Sequence, residues 1–316
     1  MSKIFNYGKQ HITKDDITSV IKSLKSETLT KGPYVDKFES NFSKYTGAKY
    51  SVSCSSGTAA LHLVYKALNI RKNDIVIAPT ITFAASVNPA SLMGAKILFA
   101  DCDSSNGLIL YESVNQIINK LIKKKKIQLL KAIVLVNLNG QSVNIKLFKS
   151  LSKQYGFAII EDSCHSLGSK YKKPNNGRVG SCKFSDFSTF SFHPVKNITT
   201  GEGGMVTLNN KKLYNKIKLL RNHSIEINYK KKIIEPWHYE FNDIFLNYRM
   251  SDINASLGIS QLKQINKIIA KKILLANFYR KNIIKFNLPV SIISDNNFSN
   301  HSYHLFVILI DFKKLK

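Results

Sequence analysis

Lys196 is the residue of this 316-residue chain whose surroundings most favour chemistry. The segment 187–206, FSTFSFHPVKNITTGEGGMV, begins as an alternating strand, breaks at a His-Pro pair, and passes three glycines into a second apolar strand. Such a turn holds a lysine rigidly, and its glycines suggest that the backbone approaches another group closely, whereas a solvated surface lysine needs neither. Because the chain has 47 lysines and arginines, an incidental lysine remains the simpler interpretation unless other parts of a site are found.

Three further segments could supply those parts. Gly57, Thr58 and Ala59 follow a short predicted strand and open a helix, whose N-terminal N–H groups favour an anion such as a phosphate. Ser and Thr also cap ordinary helices, so this signal is weak alone. Phe83 and Asp162 follow two predicted strands, 75–78 and 157–160, and ligands of α/β sheets bind at strand carboxyl ends. Taken singly, Phe83 would be a core residue and Asp162 a turn cap.

Two motifs together resemble the DegT/DnrJ/EryC1/StrS family of pyridoxal-phosphate (PLP) sugar aminotransferases. They are SFHxxKxxTTxEGG at 191–204 and EDxxHxLG at 161–168. The resemblance implies that Lys196 forms the Schiff base with PLP, that Asp162 pairs with the pyridine nitrogen, and that His165 lies on the ring hydroxyl side. It further implies cofactor contacts from Gly57, Thr58, Ala59, Phe83, Ser191 and Asn247.

The resemblance also predicts the substrates. His193, Thr199 and Thr200 are similar to the branch that aminates C4 of a UDP-4-keto-6-deoxy-N-acetyl-hexosamine in pseudaminic acid biosynthesis, with L-glutamate as donor. Other 3- or 4-keto nucleotide sugars remain alternatives. Sugar-dehydratase relatives carry histidine in place of the lysine, so Lys196 favours amino transfer. Segments around Tyr7 and Thr30 are expected near the sugar, and Arg249 is a candidate for the donor carboxylate.

Strands that alternate with helices predict an α/β protein with a mostly parallel sheet, and the resemblance specifies PLP-dependent transferase fold type I. We expect a large PLP-binding domain at 1–245 and the start of a small domain at 246–316. A helix is predicted to reach residue 93, residues 223–245 to form a long loop, a helix to run from 252 to about 279 with Ser251 as its N-cap, and a strand to occupy 304–310. Family members continue well beyond this point, so the sequence is interpreted as truncated, and an inactive fragment or assembly partner stays an alternative. The family's shared active sites imply a homodimer, in which Asn247 reaches the partner's PLP phosphate.

Composition excludes several other classes of protein. No apolar run is long enough to span a bilayer and no signal peptide is evident, which predicts a cytoplasmic protein. The four cysteines lack metal or disulfide spacing and are expected to be buried thiols. Asp101 and Asp103 stand without further ligands, so no metal is predicted. The net charge of +27 is spread along the chain without a nucleic-acid-binding motif, so nucleic acid is not expected as a partner.

Overall fold

The computed structural model describes residues 8–172, 176–227, 233–293 and 297–315. Tyr7 therefore lies outside the described residues. Within these ranges, no helix has the length and apolar character that a membrane crossing requires.

The helices are distributed along the whole of the described chain. They are α1 (Lys14–Leu24), α2 (Pro33–Thr46), α3 (Gly57–Ala67), α4 (Asn88–Leu92), α5 (Tyr111–Lys123), α6 (Ile145–Tyr155), α7 (Lys211–Leu220), α8 (Asp252–Lys263) and α9 (Ile265–Lys285). Short 3₁₀ turns occupy Ala84–Ser86, Ile127–Leu129, Leu138–Gly140 and Phe312–Leu315.

Seven strands form the central sheet and the others form small two-stranded pairs. The strands are β1 (Tyr50–Cys54), β2 (Ile75–Pro79), β3 (Lys96–Ala100), β4 (Leu130–Val136), β5 (Ala158–Asp162), β6 (Lys170–Tyr171), β7 (Phe187–Ser191), β8 (Gly204–Leu208), β9 (Ile225–Glu226), β10 (Glu240–Phe241), β11 (Val290–Ile292), β12 (Ser299–Asn300) and β13 (Ile308–Ile310). The small pairs are β9 with β10, β11 with β13, and β6 with β12.

The central sheet has the order β1-β8-β7-β5-β4-β2-β3. Strands β7, β5, β4, β2 and β3 pair in parallel, and β8 runs antiparallel to both β7 and β1. The predicted α/β architecture with a mostly parallel sheet is therefore confirmed. The connection from β7 to β8, residues 192–203, contains no crossover helix, and an antiparallel pair needs none.

Alternating side chains bury both faces of the sheet. On one face, Val76 and Val134 pack with residues of α3 and α7, whereas Ile77 and Ile133 pack on the other face with α5 and α6. This gives three layers, helix–sheet–helix, as expected where strands are apolar on both sides. A third cluster joins α2 and α8 to the end of β7 through Phe38, Phe42 and Phe192.

Asp252 ties the N-terminal helices to the later part of the chain. Its carboxylate accepts hydrogen bonds from the N–H groups of Gly32, Tyr34 and Val35 at 2.7, 2.9 and 3.2 Å, at the start of α2. A carboxylate there satisfies donors that lack intrahelical acceptors and complements the helix dipole. Ser251 caps α8, as predicted, by accepting from the Asn254 N–H at 3.1 Å.

Several predicted boundaries were wrong. The helix expected over 252–279 is two helices that meet at Gln264, and the helix expected to reach residue 93 is a 3₁₀ turn followed by α4. The segment 223–245, interpreted as a long loop, contains the β9–β10 pair. The strand expected over 304–310 is present only at Ile308–Ile310.

Candidate active site

A cavity of about 530 Å³ opens where the parallel strands end, and it contains both predicted catalytic residues. Its volume lies within the range usual for small-molecule sites. The lining comes from the ends of β4, β5 and β7, the start of α3, and the turns after β2 and β7. These residues are Ser56, Gly57, Thr58, Leu61, Ile81, Thr82, Phe83, Ala85, Val136, Leu138, Asp162, Cys164, His165, Ser191, His193, Val195, Lys196 and Glu202.

Asp162, the last residue of β5, is buried and has both carboxylate oxygens hydrogen bonded. Its Oδ1 accepts from the Cys164 N–H at 3.2 Å, and its Oδ2 accepts from the Ser86 hydroxyl at 2.5 Å. Donors to both oxygens fix the rotation of the carboxylate. Asp162 therefore presents a carboxylate of fixed orientation to the cavity.

Ser86 belongs to a short hydrogen-bonded chain behind Asp162. The Thr82 hydroxyl donates to Ser86 Oγ at 2.8 Å, which leaves the Ser86 proton for Asp162. The Tyr65 hydroxyl from α3 donates to the Ser86 carbonyl oxygen at 2.5 Å. Ser86 and Tyr65 are fully buried, so their polar atoms depend on these contacts for hydrogen bonding.

The turn that carries Lys196 is held by backbone and threonine contacts. The Lys196 N–H donates to the His193 carbonyl at 2.9 Å, while the Thr200 N–H and the Thr199 hydroxyl both donate to the Phe192 carbonyl at 3.0 Å. A Cβ at Gly204 would lie 2.1 Å from the Ser56 carbonyl oxygen. The glycine thus allows β8 to approach the start of α3, as the sequence pattern indicated.

The start of α3 presents backbone donors to the cavity. Ser56 is the N-cap, and its Oγ accepts from the Ala59 N–H at 3.0 Å. Gly57 and Thr58 are the first two helical residues, so their N–H groups have no acceptor within the helix. Both line the cavity and could bind an anion. Ala59, predicted as a cofactor contact, is buried and is not among the lining residues, and its N–H is used by the cap.

His165 lines the same cavity as Lys196, is partly buried, and its ring lies beside that of His304 in the C-terminal segment. Burial, reinforced by the charge of Lys196, lowers the pKa of His165 to about 4, so the ring is neutral at pH 7. The Asn139 N–H donates to its Nδ1 at 3.4 Å. That contact assigns the ring proton to Nε2, which makes Nε2 a hydrogen-bond donor.

The sequence between residues 10 and 316 matches the model of the DegT/DnrJ/EryC1/StrS aminotransferase family. The chain belongs to this family. Members of the family are PLP-dependent aminotransferases, so the chain is an aminotransferase of this family. Its Lys196 and Asp162 line one cavity.

Relatives of this chain include enzymes that act on sugar nucleotides. The chain is 39% identical over 307 residues, 97% of its length and 77% of the relative's, to a UDP-4-amino-4,6-dideoxy-N-acetyl-beta-L-altrosamine transaminase of Campylobacter jejuni. Helicobacter pylori PseC, an aminotransferase involved in the biosynthesis of pseudoaminic acid, is 30% identical with a TM-score of 0.86, over 98% of this chain and 79% of PseC. A putative sugar aminotransferase of Streptococcus pneumoniae in its PLP form is 26% identical with a TM-score of 0.85. The match covers 98% of this chain and 79% of that protein.

Three of the predicted site residues lie away from this cavity. Thr30 is exposed and bridges to Ser251, Asn247 is exposed, and the Arg249 guanidinium donates to Asn222 Oδ1. None of the three lines the cavity of its own chain. The roles of Asn247 at a partner's site and of Thr30 and Arg249 toward substrate stay predictions. Of the other substrate candidates, His193 lines the cavity.

The structure adds residues that the sequence did not indicate. Thr82 and Ser86 support Asp162, and Cys164 lines the cavity although it was expected to be a buried thiol like the other three cysteines. All four cysteines are free, and no group of metal-ligating side chains occurs among the described residues. No local motif marks Ser86, because its contact with Asp162 joins residues 76 positions apart.

Proposed function

We propose that this protein transfers an amino group from L-glutamate to C4 of a UDP-4-keto-6-deoxy-N-acetyl-hexosamine, using PLP attached to Lys196. The observation that carries the proposal is the convergence of Lys196, Asp162 and the N-terminus of α3 on one cavity. The substrate class is supported by the relative at 39% identity, a transaminase of a UDP-4-amino-4,6-dideoxy sugar.

The side chains and backbone donors of the cavity suit PLP. A Cβ at Gly57 would lie 2.9 Å from Ser191 Cβ and 3.3 Å from Cys164 Sγ, so glycine lets the start of α3, with its anion-binding N–H groups, pack closely against the ends of β5 and β7. Gly57 and Thr58 would hold the phosphate, Asp162 the pyridine nitrogen, and Phe83 one ring face. Phe83 is 74% exposed, which leaves its ring accessible for stacking. Bound PLP would supply the electron sink that transamination requires.

Each residue then has a defined task. Asp162 would pair with the pyridine nitrogen and favour its protonated form. The Lys196 amine would hold the cofactor and, when free, would move a proton between two carbon atoms. His165, neutral with its proton on Nε2, would donate a hydrogen bond on the ring hydroxyl side. Because one site serves both substrates in turn, ping-pong kinetics are expected.

We further propose that the enzyme is a homodimer in which Asn247 of each chain completes the partner's phosphate site. Asn247 is exposed and lies outside its own cavity, which is compatible with a role across an interface. It follows a segment rich in exposed apolar side chains, including Trp237 at 76% and Ile244 at 92% exposure. Exposed apolar surface of this kind is typical of protein–protein interfaces.

The first experiment locates the cofactor. The purified chain is mixed with PLP, its visible spectrum is recorded, the bound cofactor is fixed by borohydride reduction, and the modified peptide is identified by mass spectrometry. We expect the label on Lys196. A folded protein with no visible band, or a label on another lysine, would contradict the proposal.

Lys196→Ala tests the catalytic role. Turnover of UDP-4-keto sugars with L-glutamate should be abolished, while the circular dichroism spectrum stays that of the wild type, since Lys196 is only partly buried. Lys153→Ala, an exposed lysine of α6, serves as the matched control and should retain full activity. Activity in Lys196→Ala would contradict the catalytic role of Lys196. If the wild-type enzyme turned over 3-keto sugars and no 4-keto sugars, amination at C3 would replace amination at C4 in the proposal.

A further inference from the structure

The parallel strands of the central sheet begin together at the edge opposite the cavity. β2, β3 and β4 start side by side, because Ile75 pairs with Lys96 on one side and with Leu130 on the other. β5 starts two residues further along, where Ala158 is level with Ala132. The five residues of β2 separate this edge from the cavity by roughly 16 Å.

Nine exposed basic side chains lie along this edge of the sheet. Each belongs to a segment that leads into β2, β3, β4 or β5, or to the first two residues of one of these strands. α5 and α6 contribute because both helices end here, just before β4 and β5 begin. The residues are Arg71, Lys72, Lys96, Lys131, Lys153 and the four lysines 123–126, which we call the basic edge.

The basic edge has few acidic side chains near it. Residues 113–160, which include six of its nine members, contain no aspartate or glutamate. Of the neighbouring carboxylates, Asp74 accepts a hydrogen bond from the Arg71 N–H at 2.8 Å, and Asp186, before β7, lies 3.6 Å from Lys149 Nζ. No ion pair within the described ranges includes a side chain of the basic edge. Its positive charges are therefore not neutralised by the described part of the chain.

Two exposed apolar side chains accompany the basic edge. Leu92, the last residue of α4, is 83% exposed and lies four residues before Lys96. Ile122, in the last turn of α5, is 39% exposed and directly precedes the four lysines. Lysines beside exposed apolar groups suit the surface of an anionic bilayer, where the lysines attract headgroups and the apolar groups enter the interface.

We propose that the basic edge binds a membrane surface that carries anionic phospholipid headgroups. Clusters of four to eight basic residues are typical of such binding, and lysine supplies a point charge that mobile headgroups can approach from many directions. Nucleic acid is the less favoured partner, because the described segments of the edge present no exposed aromatic ring on which bases could stack.

The position of the basic edge fits this role. The cavity opens where the strands end, so a chain that rests on a membrane through the ends where the strands begin leaves the cavity accessible to small molecules. Sequence alone did not indicate the surface, because its members come from four separate segments that the sheet brings together. The binding involves no substrate and is separate from the proposed transamination.

The test is co-flotation of the full chain, incubated with PLP, with vesicles of stated composition. Phosphatidylcholine vesicles with about 30% phosphatidylglycerol, in about 0.1 M salt, should bind the protein, and vesicles of phosphatidylcholine alone should not. Binding should decrease at about 0.5 M salt, because the attraction between the charges is then screened over a shorter distance.

The edge variant carries Lys123→Gln, Lys124→Gln, Lys125→Gln and Lys126→Gln. It should bind anionic vesicles on the order of 100-fold more weakly, because each lysine near the surface contributes about a factor of five. Glutamine has a helix propensity close to that of lysine, so the circular dichroism spectrum should stay that of the wild type.

The matched control makes the same change in net charge elsewhere, on exposed lysines of α8 and α9. It carries Lys263→Gln, Lys267→Gln, Lys271→Gln and Lys281→Gln. This variant should bind the anionic vesicles as the wild type does. An equal loss in both variants would show that net charge alone sets the binding, and it would overturn the inference.

A second variant keeps the test decisive if the edge variant does not fold. Lys96→Gln, Lys131→Gln and Lys153→Gln remove charges from the other segments and should weaken vesicle binding at least about tenfold. Unchanged vesicle binding in a folded edge variant, or no binding of the wild type to anionic vesicles, would contradict the proposal. Tighter binding of the wild type to duplex DNA than to the vesicles, lost in the edge variant, would replace the membrane by nucleic acid.

Discussion

Glu161 and Asp162 are adjacent carboxylates at the end of β5 with opposite surroundings. Asp162 faces the cavity, whereas Glu161 is fully buried and accepts hydrogen bonds from Tyr171, from Ser185 at 2.5 Å and from Asn137 at 3.2 Å. Burial raises the pKa of Glu161, and its hydrogen bonds act against that shift. Because neighbouring residues of a strand point to opposite faces, one carboxylate is structural and the other is available for chemistry.

Ser86 is expected to act as a positioning residue for Asp162. Ser86→Ala removes the donor to Asp162 Oδ2, so the carboxylate would rotate more freely and hold a ring-nitrogen proton less firmly. We expect kcat to fall about tenfold, the rate equivalent of one charge-assisted hydrogen bond. The pH at which the visible absorption of the bound cofactor changes should shift as well, which a purely structural effect would not produce.

Two variants calibrate this prediction. Ser86→Thr keeps the hydroxyl and should recover the wild-type spectrum, and Ser91→Ala removes an exposed serine of α4 and should change nothing. A Ser86→Ala protein with the wild-type spectral titration would show that Asp162 needs no support from this hydroxyl.

At the scale of elements, the site depends on how closely β8 approaches α3. Gly204 pairs with Cys54 of β1 and with Ser191 of β7, and its Cα faces the backbone of Ser56 and Gly57. The strand therefore presses against the residues that would hold the phosphate. Backbone atoms cannot move aside as a flexible side chain can, so this approach admits glycine alone.

Gly204→Ala should consequently weaken cofactor binding as well as stability. The added Cβ would displace the start of α3, and we expect a PLP Kd at least about tenfold higher, with a loss of about 1–3 kcal/mol in the free energy of unfolding. Fluorescence titration with PLP and urea unfolding measure the two effects.

Gly156→Ala is the control. A Cβ at this position meets no atom within 4 Å, but the alanine must adopt the φ of 75° that the glycine has. It should lose some stability and keep the wild-type PLP affinity. Equal PLP affinity in Gly204→Ala and the wild type would contradict the proposed phosphate site.

The elements also show which parts of the structure were predictable. The strands of the sheet could be predicted from the alternation of predicted strands with helices. The Lys196 and Asp162 motifs could be predicted because their residues are close together in the sequence. The separation of α8 and α9 at Gln264 was missed, because the apolar pattern continues through the junction. Ser86 could not be identified as a support for Asp162, since the two residues lie 76 positions apart in the sequence.

At the scale of the molecule, the proposed dimer predicts complementation between two inactive chains. Lys196→Ala removes the amine of its own site, and Asn247→Asp places a negative charge against the partner's phosphate. In a mixed dimer, one site has both a native Lys196 and a native Asn247 from the other chain. Random reassociation gives half mixed dimers with one such site each, so activity should return to about a quarter of wild type.

The measurement is turnover after the two variants are unfolded together and refolded, compared with each variant refolded alone. Light scattering confirms the dimer. Activity that stays at the mean of the two parents would place Asn247 outside the partner's site.

The position of β1 at the edge of the central sheet has a consequence for biosynthesis. Among the described strands, β1 pairs with β8 alone, so Tyr50–Cys54 has no partner strand until Gly204–Leu208 has left the ribosome. At about 5–20 residues per second, the intervening 150 or so residues take roughly 8–30 s to synthesise. During that interval β1 lacks its partner strand on the nascent chain, and the edge of the sheet closes only after the Lys196 turn has been made.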